Sequence, residues 1–321
     1  MERMKTYVGV DISKLHFDVA IEESGKYHHY RFENERKGFK LFSKLLVKEV
    51  SQVVMEASGP YYLKLADYLN EEGIVVSVIN PLVIRRFCQM RMTRTKTDKK
   101  DAKMIAEYGK TEKPKEWSPE AEYVAELRQL QATSDLLNKN RTSLMRQKES
   151  VSVLPFVSKE VLKTIEKSIK ECEQHIEELE QRMQEIIRFH HGKMYEQLQS
   201  IPGLGKKTAL LLIVLTSGFT KFENARQLSS YIGTCPRIFE SGSSVKGKSR
   251  ITKMGMSRIR AMLYMCSWSA KKCNETCKAL YDRLVENGKA KRLALIAVVN
   301  KLLKQAFAIA TQGTLYKSPS I

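Results

Sequence analysis

Four carboxylates and one serine-bearing loop are the residues of this sequence with chemistry to offer. Asp11 ends the apolar run TYVGVD, and Glu56 ends a second, QVVME. Asp98 and Asp101 stand three apart in TDKKDA, which on a helix puts both on one face. Two like charges there cost stability unless a cation sits between them. Carboxylate oxygens suit Mg²⁺ or Mn²⁺, and a pair of such ions clamps the attacking and leaving oxygens of a phosphodiester. Each acid alone has a plainer reading: an acid after a strand caps a helix, and DKKD makes a solvated helix face with its own lysines. The loop FESGSSVKGKSRITKMG, residues 239–255, sets Ser241, Ser243 and Ser244 beside Lys246, Lys248, Arg250 and Lys253. It has no carboxylate after Glu240 and no histidine or cysteine. That composition suits a phosphate, although a solvated surface turn would look the same. A serine hydroxyl attacks only when activated, and with no histidine nearby the activation has to come from elsewhere, such as metal held by the acids.

These groups need elements to hold them. Thr6–Asp11 reads as a strand, followed by an antiparallel meander of Phe17–Glu22 and Tyr27–Phe32 turned at Ser24-Gly25-Lys26. Glu35–Glu49 reads as a helix, Gln52–Glu56 as a strand, Tyr61–Glu72 as a helix closed by Gly73, and Ile74–Ile79 as an apolar strand stopped by Asn80-Pro81. This is a mixed α/β pattern around one sheet, and both strand-end acids fall where open sheets build sites. The basic segment Arg85–Lys100, with Arg94 and Lys96, leads into the acids and could steer a phosphate backbone toward them.

From Asp98 the character turns helical. Asp98–Tyr108 is one helix, Pro114 and Pro119 mark a linker, and Glu120 to about Ser150 is long and periodic. Ser158–His190 carries apolar residues at Val161, Ile165, Ile169, Cys172, Ile176, Leu179, Met183 and Ile186. Such heptad-like spacing implies a helical hairpin or coiled coil, and a seam of this kind implies dimerisation. After Tyr195 a second globular unit begins. Ile201-Pro202-Gly203-Leu204-Gly205 is a tight turn followed by Lys206 and Lys207, similar to the helix-hairpin-helix element of DNA-binding proteins; its glycines would let backbone N–H groups approach a phosphate. Ala225–Ile232, Met256–Lys271 and Lys289–Ala310 read as helices. Three regions result: an α/β catalytic domain over 1–112, a helical middle over 113–194, and a mostly helical C-terminal domain over 195–321.

Lys and Arg number 55 against 36 Asp and Glu, a net charge of +19. The natural partner of that excess is polyphosphate, because each neutralised phosphate releases a counterion. No apolar run of membrane-spanning length appears, and the first residues do not read as a signal peptide, so the expectation is a cytoplasmic protein with no membrane partner. The six cysteines form no CxxC pair and read as small buried hydrophobes rather than a zinc site.

Several stretches in order resemble one family. VGVDISKLHFDVAI, VVMEASGPY and RTKTDKKDAKMIAEYG, then LQSIPGLGKKTALLLI, LSSYIGTCPR and ESGSSVKGKSRITKMGMSRIRAMLY, resemble the DEDD transposases of the insertion-sequence family IS110, with its IS1111 branch and the Piv DNA invertases. The resemblance implies a RuvC-like, ribonuclease-H-type N-terminal domain in which Asp11, Glu56, Asp98 and Asp101 bind Mg²⁺ or Mn²⁺. It implies a nucleophilic serine in an SG motif, matched by Ser241, that forms a covalent phosphoserine link to DNA; Ser243 and Ser244 stand in reserve. It further implies a structured noncoding guide RNA, a homodimer or homotetramer, and active sites composed from one or two protomers. Two other readings share some of these residues. A RuvC-type nuclease would use the four acids and a water without the serine, and a nonenzymatic scaffold would use only the basic helices. A sugar-kinase-like ATPase ranks last, since no second phosphate loop is visible.

Overall fold

The computed structural model describes residues 6–46, 51–92, 97–237, 240–241, 245–246, 250–252 and 254–318, with backbone alone at 237, 240–241, 245–246 and 250. They divide into two compact units, 1–120 and 121–321.

The first unit is built on a five-stranded sheet of order β3-β2-β1-β4-β5. Its strands are β1 (Thr6–Ile12), β2 (His16–Glu23), β3 (Lys26–Glu33), β4 (Ser51–Glu56) and β5 (Val75–Ile79). β1, β2 and β3 form an antiparallel meander, while β4 runs parallel to β1 and β5 parallel to β4. The helices are α1 (Arg36–Ser43), α2 (Leu63–Glu71), α3 (Pro81–Met90) and α4 (Asp98–Glu112). The two-residue period of a strand sorts side chains to opposite faces. Val8, Val10 and Ile12 face α1 and α2, packing with Phe39, Phe42, Leu65 and Leu69. Tyr7, Gly9 and Asp11 alternate with them and therefore face α4. Val54 likewise packs with Ile84 of α3 and Ile105 of α4, so Glu56, two residues on, shares that face.

Two glycines set how close α4 lies. A Cβ on Gly9 would stand 2.0 Å from the Ala102 carbonyl oxygen, and one on Gly109 would stand 2.8 Å from Val54 Cγ2. The motif YVGVD thus carries glycine where the helix backbone rests on the strand. α3 went unread in the sequence, although its signal is there: Asn80 caps it, accepting from Leu82 N at 2.9 Å, with Pro81 as the first helical residue. α1 stops at Ser43 rather than running on to Glu49; Leu45 N and Leu46 N bond three residues back, the tightening typical of a helix end. Residues 114–117 close the β5 edge. Trp117 N donates to Val76 O at 2.7 Å, and Ser77 Oγ donates to Lys115 O at 2.8 Å.

The second unit comprises α5 (Glu122–Ser152), α6 (Lys159–Gln199), α7 (Lys206–Thr216), α8 (Ala225–Ile232), α9 (Ser257–Cys273), α10 (Glu275–Glu286) and α11 (Lys291–Gln312), with short strands β6 (Pro236–Arg237), β7 (Glu240–Ser241), β8 (Val245–Lys246) and β9 (Arg250–Ile251) between α8 and α9. One core joins Leu127 and Met183 to Leu198, Leu212, Leu263, Val298 and Leu302. The long helices expected as a separate middle region are therefore part of this unit. α5 and α6 form an antiparallel hairpin laced by Glu126–Arg182, Arg141–Glu173 and Lys148–Glu166 ion pairs. Ile165, Ile176, Met183 and Ile186 of the apolar stripe are buried within the same chain, whereas Ile169, Cys172 and Leu179 are half-buried and Val161 is exposed. α6 continues past the expected end at His190, with a non-helical His191 (φ −137°, ψ 25°) marking a kink there. α11 is long and apolar enough to cross a membrane by composition, but Leu295, Val298, Val299, Leu302 and Leu303 are buried in the core, which accounts for its character.

Candidate active site

Asp11 and Glu56 reach the same level at the ends of neighbouring parallel strands, since Val10 is in register with Met55. Asp98 and Asp101 occupy the first turn of α4, whose N-cap Thr97 accepts from Lys100 N at 3.3 Å. The close packing of α4 on Gly9 brings that turn over the strand ends. Asp11 responds to all three partners. Burial, then the charges of Asp101, Glu56, Asp98 and Asp18 in that order, push its pKa up from 3.8 to about 6. The four sequence-predicted acids are thus one electrostatic site. Ser58 Oγ donates to Glu56 Oε1 at 2.8 Å, fixing that carboxylate from the small-residue turn after β4.

Hard divalent cations choose all-oxygen donors of this kind, and the repulsion focused on Asp11 is what such a cation would relieve. In chemistry the donor set fits. Among the described residues no three acids, histidines or cysteines lie close enough together to hold an ion as they stand.

Sequence reasoning missed the residues that hold Asp98. Asp11, Asp18 and Arg31 form one row across β1, β2 and β3, each in register with the next. Side chains directly opposite share a face. Asp18 is buried, 5% exposed. Its Oδ2 accepts from Arg31 Nε at 3.1 Å and from an Arg31 terminal nitrogen at 2.8 Å, while His29 Nε2 lies 2.7 Å from Oδ1. The same terminal nitrogen of Arg31 donates to Asp98 Oδ2 at 2.7 Å. The signal lay in strand pairing: only the register shows that Arg31 stands two strands from Asp11. Cys88 of α3 also borders the site; burial first, then Asp101 and Glu56, push its thiol pKa up, which keeps it protonated.

The serine loop belongs to the second unit. Its described backbone is a pair of nested antiparallel ladders, β6 with β9 and β7 with β8, rather than an irregular turn. Ser241 ends β7 opposite Val245, with Lys246 on β8 and Arg250 on β9. The base of this arm is fixed. A Cβ on Gly233 would stand 2.4 Å from Met254 O, and one on Gly255 would stand 2.3 Å from Tyr231 O, so the two chain passages touch through their glycines. Buried Thr234 donates to Asn300 Oδ1 at 2.7 Å, and Asn300 Nδ2 donates back to Thr234 O at 3.1 Å, tying the arm to α11. Ser243, Ser244, Lys248, Lys253, Arg94 and Lys96 lie outside the described residues.

The glycine turn before α7 divides its work. Gly203, at φ +95°, lies where a Cβ would meet Ala270 of α9 at 2.6 Å, so it serves helix packing. Gly205 has open space around it and precedes Lys206 and Lys207. Lys206 is exposed, whereas Lys207 Nζ is paired with Glu180 Oε1 at 2.7 Å.

Residues 8–154, which contain all four acids, match a DEDD transposase model of IS110 type, and residues 195–282, which contain Ser241, match a model described as the transposase of the IS116/IS110/IS902 family. The chain is 30% identical over 321 residues to the pilin gene-inverting protein of Moraxella lacunata, covering 96% of this chain and 97% of that one. It is 24% identical over 343 residues to the transposase of insertion sequence IS1111A of Coxiella burnetii, covering 97% and 91%. To the transposase of IS1328 of Yersinia enterocolitica it is 23% identical over 342 residues, covering 97% and 98%. With matches that span both units and both sets of candidate residues, the chain belongs to the IS110 family of transposases.

Proposed function

We propose that this enzyme cuts and rejoins DNA through a covalent phosphoserine at Ser241, with Asp11, Glu56, Asp98 and Asp101 holding Mg²⁺ or Mn²⁺ in a RuvC-like, ribonuclease-H-type unit. The observation that carries the reading is the charge of three further acids, from β4 and α4, converging on Asp11 at the end of β1. The strand order, a meander followed by two parallel strands, supports the ribonuclease-H assignment. When bound, the ion supplies Lewis-acid polarisation of a phosphoryl oxygen and lowers the cost of an alkoxide.

The chain's own residues do the rest. The Ser241 Oγ attacks phosphorus, its proton passes to solvent or to the departing oxygen, and the P–O bond to one deoxyribose breaks. One phosphodiester replaces another, so the reverse attack by a different strand end rejoins DNA without ATP. Lys246 and Arg250, with Lys248 and Lys253, hold the phosphate and offset its developing charge. The acids and the serine lie in different units, and the reading assigns both to the same reaction in a homodimer or homotetramer. A structured noncoding RNA would choose the site by base pairing.

The test is a labelled DNA carrying element ends, run with Mn²⁺ and resolved under denaturing conditions. A covalent protein–DNA band is expected for the wild type, and its loss in Ser241→Ala with DNA binding retained. Free cut ends without a protein-linked species would instead support a RuvC-type nuclease. A second reading, site-specific inversion, is favoured by the 30% identity to a gene-inverting protein along nearly the whole chain. The chemistry is shared, and recombination between two inverted sites with no excised product would favour inversion.

A further inference from the structure

Arg31 puts one cation among the carboxylates. Its anchor is independent of the site: Asp18 is buried, and the guanidinium grips it through two nitrogens. A buried carboxylate needs such a partner, so Arg31 stays with Asp18 whatever Asp98 does. The Asp98 side chain is 65% exposed and receives one hydrogen bond from Arg31. Asp98 is thus the partner free to leave. Its Oδ2 is an atom that a divalent ion would also seek, and among the described residues no three acids, histidines or cysteines meet closely enough to hold that ion as they stand.

We propose that Arg31 is a positioning residue of the carboxylate site, holding Asp98 out of the ligand set until a divalent ion displaces the guanidinium. The proposal rests on the reading of these acids as ion ligands. Two properties follow from the geometry. Arg31 supplies positive charge to the crowded acids in the ion-free protein. It also sets a threshold, because the ion has to outcompete a charge-assisted hydrogen bond of 2.7 Å. The fork matters as well as the charge, since Nε and a terminal nitrogen together grip Asp18 while that terminal nitrogen also donates to Asp98. A lysine ammonium has one nitrogen and cannot hold Asp18 through two while also donating to Asp98.

The experiment is calorimetric titration of the full-length protein with MnCl₂, comparing wild type, Arg31→Ala, Arg31→Lys and Asp98→Asn, each first checked for a cooperative melt. Arg31→Ala is expected to bind Mn²⁺ about fivefold more tightly, the scale of one unit charge removed at a partly exposed site. Arg31→Lys tightens binding in the same direction, and Asp98→Asn weakens it. If Arg31→Ala binds equally or more weakly while Asp98→Asn weakens binding, Asp98 is a ligand but Arg31 does not hold it away, and the proposal falls. A wild-type-like Arg31→Lys beside a tighter Arg31→Ala reduces the effect to bare charge and also overturns it. Unchanged binding in Asp98→Asn, or no saturable binding in the wild type, sinks the ligand reading itself. Should Arg31→Ala fail to melt cooperatively, Arg31→Lys decides the question alone.

Discussion

Asp11 is the residue at which burial and neighbouring charge both oppose ionisation. Its pKa is raised to about 6 in the fold from 3.8. The sign follows from linkage: a carboxylate whose folded pKa is raised destabilises the protein when ionised, fully above about pH 6, and the penalty fades as pH falls toward 3.8. Without divalent ions, Asp11→Asn should therefore stabilise the protein by about 1–2 kcal/mol at pH 8, a figure discounted for partial solvent screening, and by progressively less toward pH 4. Urea denaturation of both proteins across that range checks it, and a flat difference would remove the electrostatic account. The four acids were legible because they end apolar strands or share a helix turn. Asp18 and Arg31 were not, since residues 11, 18 and 31 become neighbours only through strand register. Sequence spacing cannot display that register when His28, His29 and Arg31 crowd the same strand.

At the scale of elements, the site depends on how near α4 comes to β1. Gly9→Ala would place a methyl 2.0 Å from the Ala102 carbonyl oxygen. Neither strand nor helix backbone can yield without moving the first turn of α4, so a loss of about 3 kcal/mol or more is expected. Mn²⁺ affinity should fall with it, since Asp98 and Asp101 ride on that turn. Gly192→Ala is the control: a Cβ there meets nothing within 4 Å, and the change should be neutral or stabilising by up to about 1 kcal/mol. Equal effects at both glycines, read from thermal melts, would remove the close-packing argument. Most elements could be read from periodicity, but α3 and α10 were hidden for a shared reason. Each opens on an asparagine cap, Asn80 accepting from Leu82 N and Asn274 from Cys277 N. Asparagine before a proline, or between two charged helices, reads more readily as a stop than as a start. The ladders of the serine arm were hidden differently: two-residue strands carry no period at all.

For the whole molecule, the informative point is where the first unit ends. The sequence suggests a boundary after residue 112, because the prolines at 114 and 119 look like a linker. The structure carries the unit to Glu120, and the reason is the open edge of β5. Gln52 Nε2 donates to Ser77 Oγ at 2.9 Å and to Pro114 O at 3.0 Å. Ser77 Oγ donates to Lys115 O, the Trp117 amide donates to Val76 O, and the Trp117 ring packs against the sheet's core. A fragment ending at 112 would strip three partners from buried Gln52 and Ser77 and the edge carbonyl, and would uncover an edge strand. Each lost partner of a buried polar group costs about 1–3 kcal/mol. A fragment of residues 1–120 is therefore expected to unfold cooperatively and to keep the Asp11 site, with Mn²⁺ affinity near that of the full chain. A fragment of 1–112 should be less stable by about 3 kcal/mol or more, or fail to fold. Urea denaturation followed by circular dichroism compares the two directly. Trp117, the sole tryptophan left in the longer fragment, gives an independent probe, and its emission should shift in the same transition. Equal stability of the two fragments would mean that 114–117 merely lies on the sheet, and the boundary drawn from the prolines would stand.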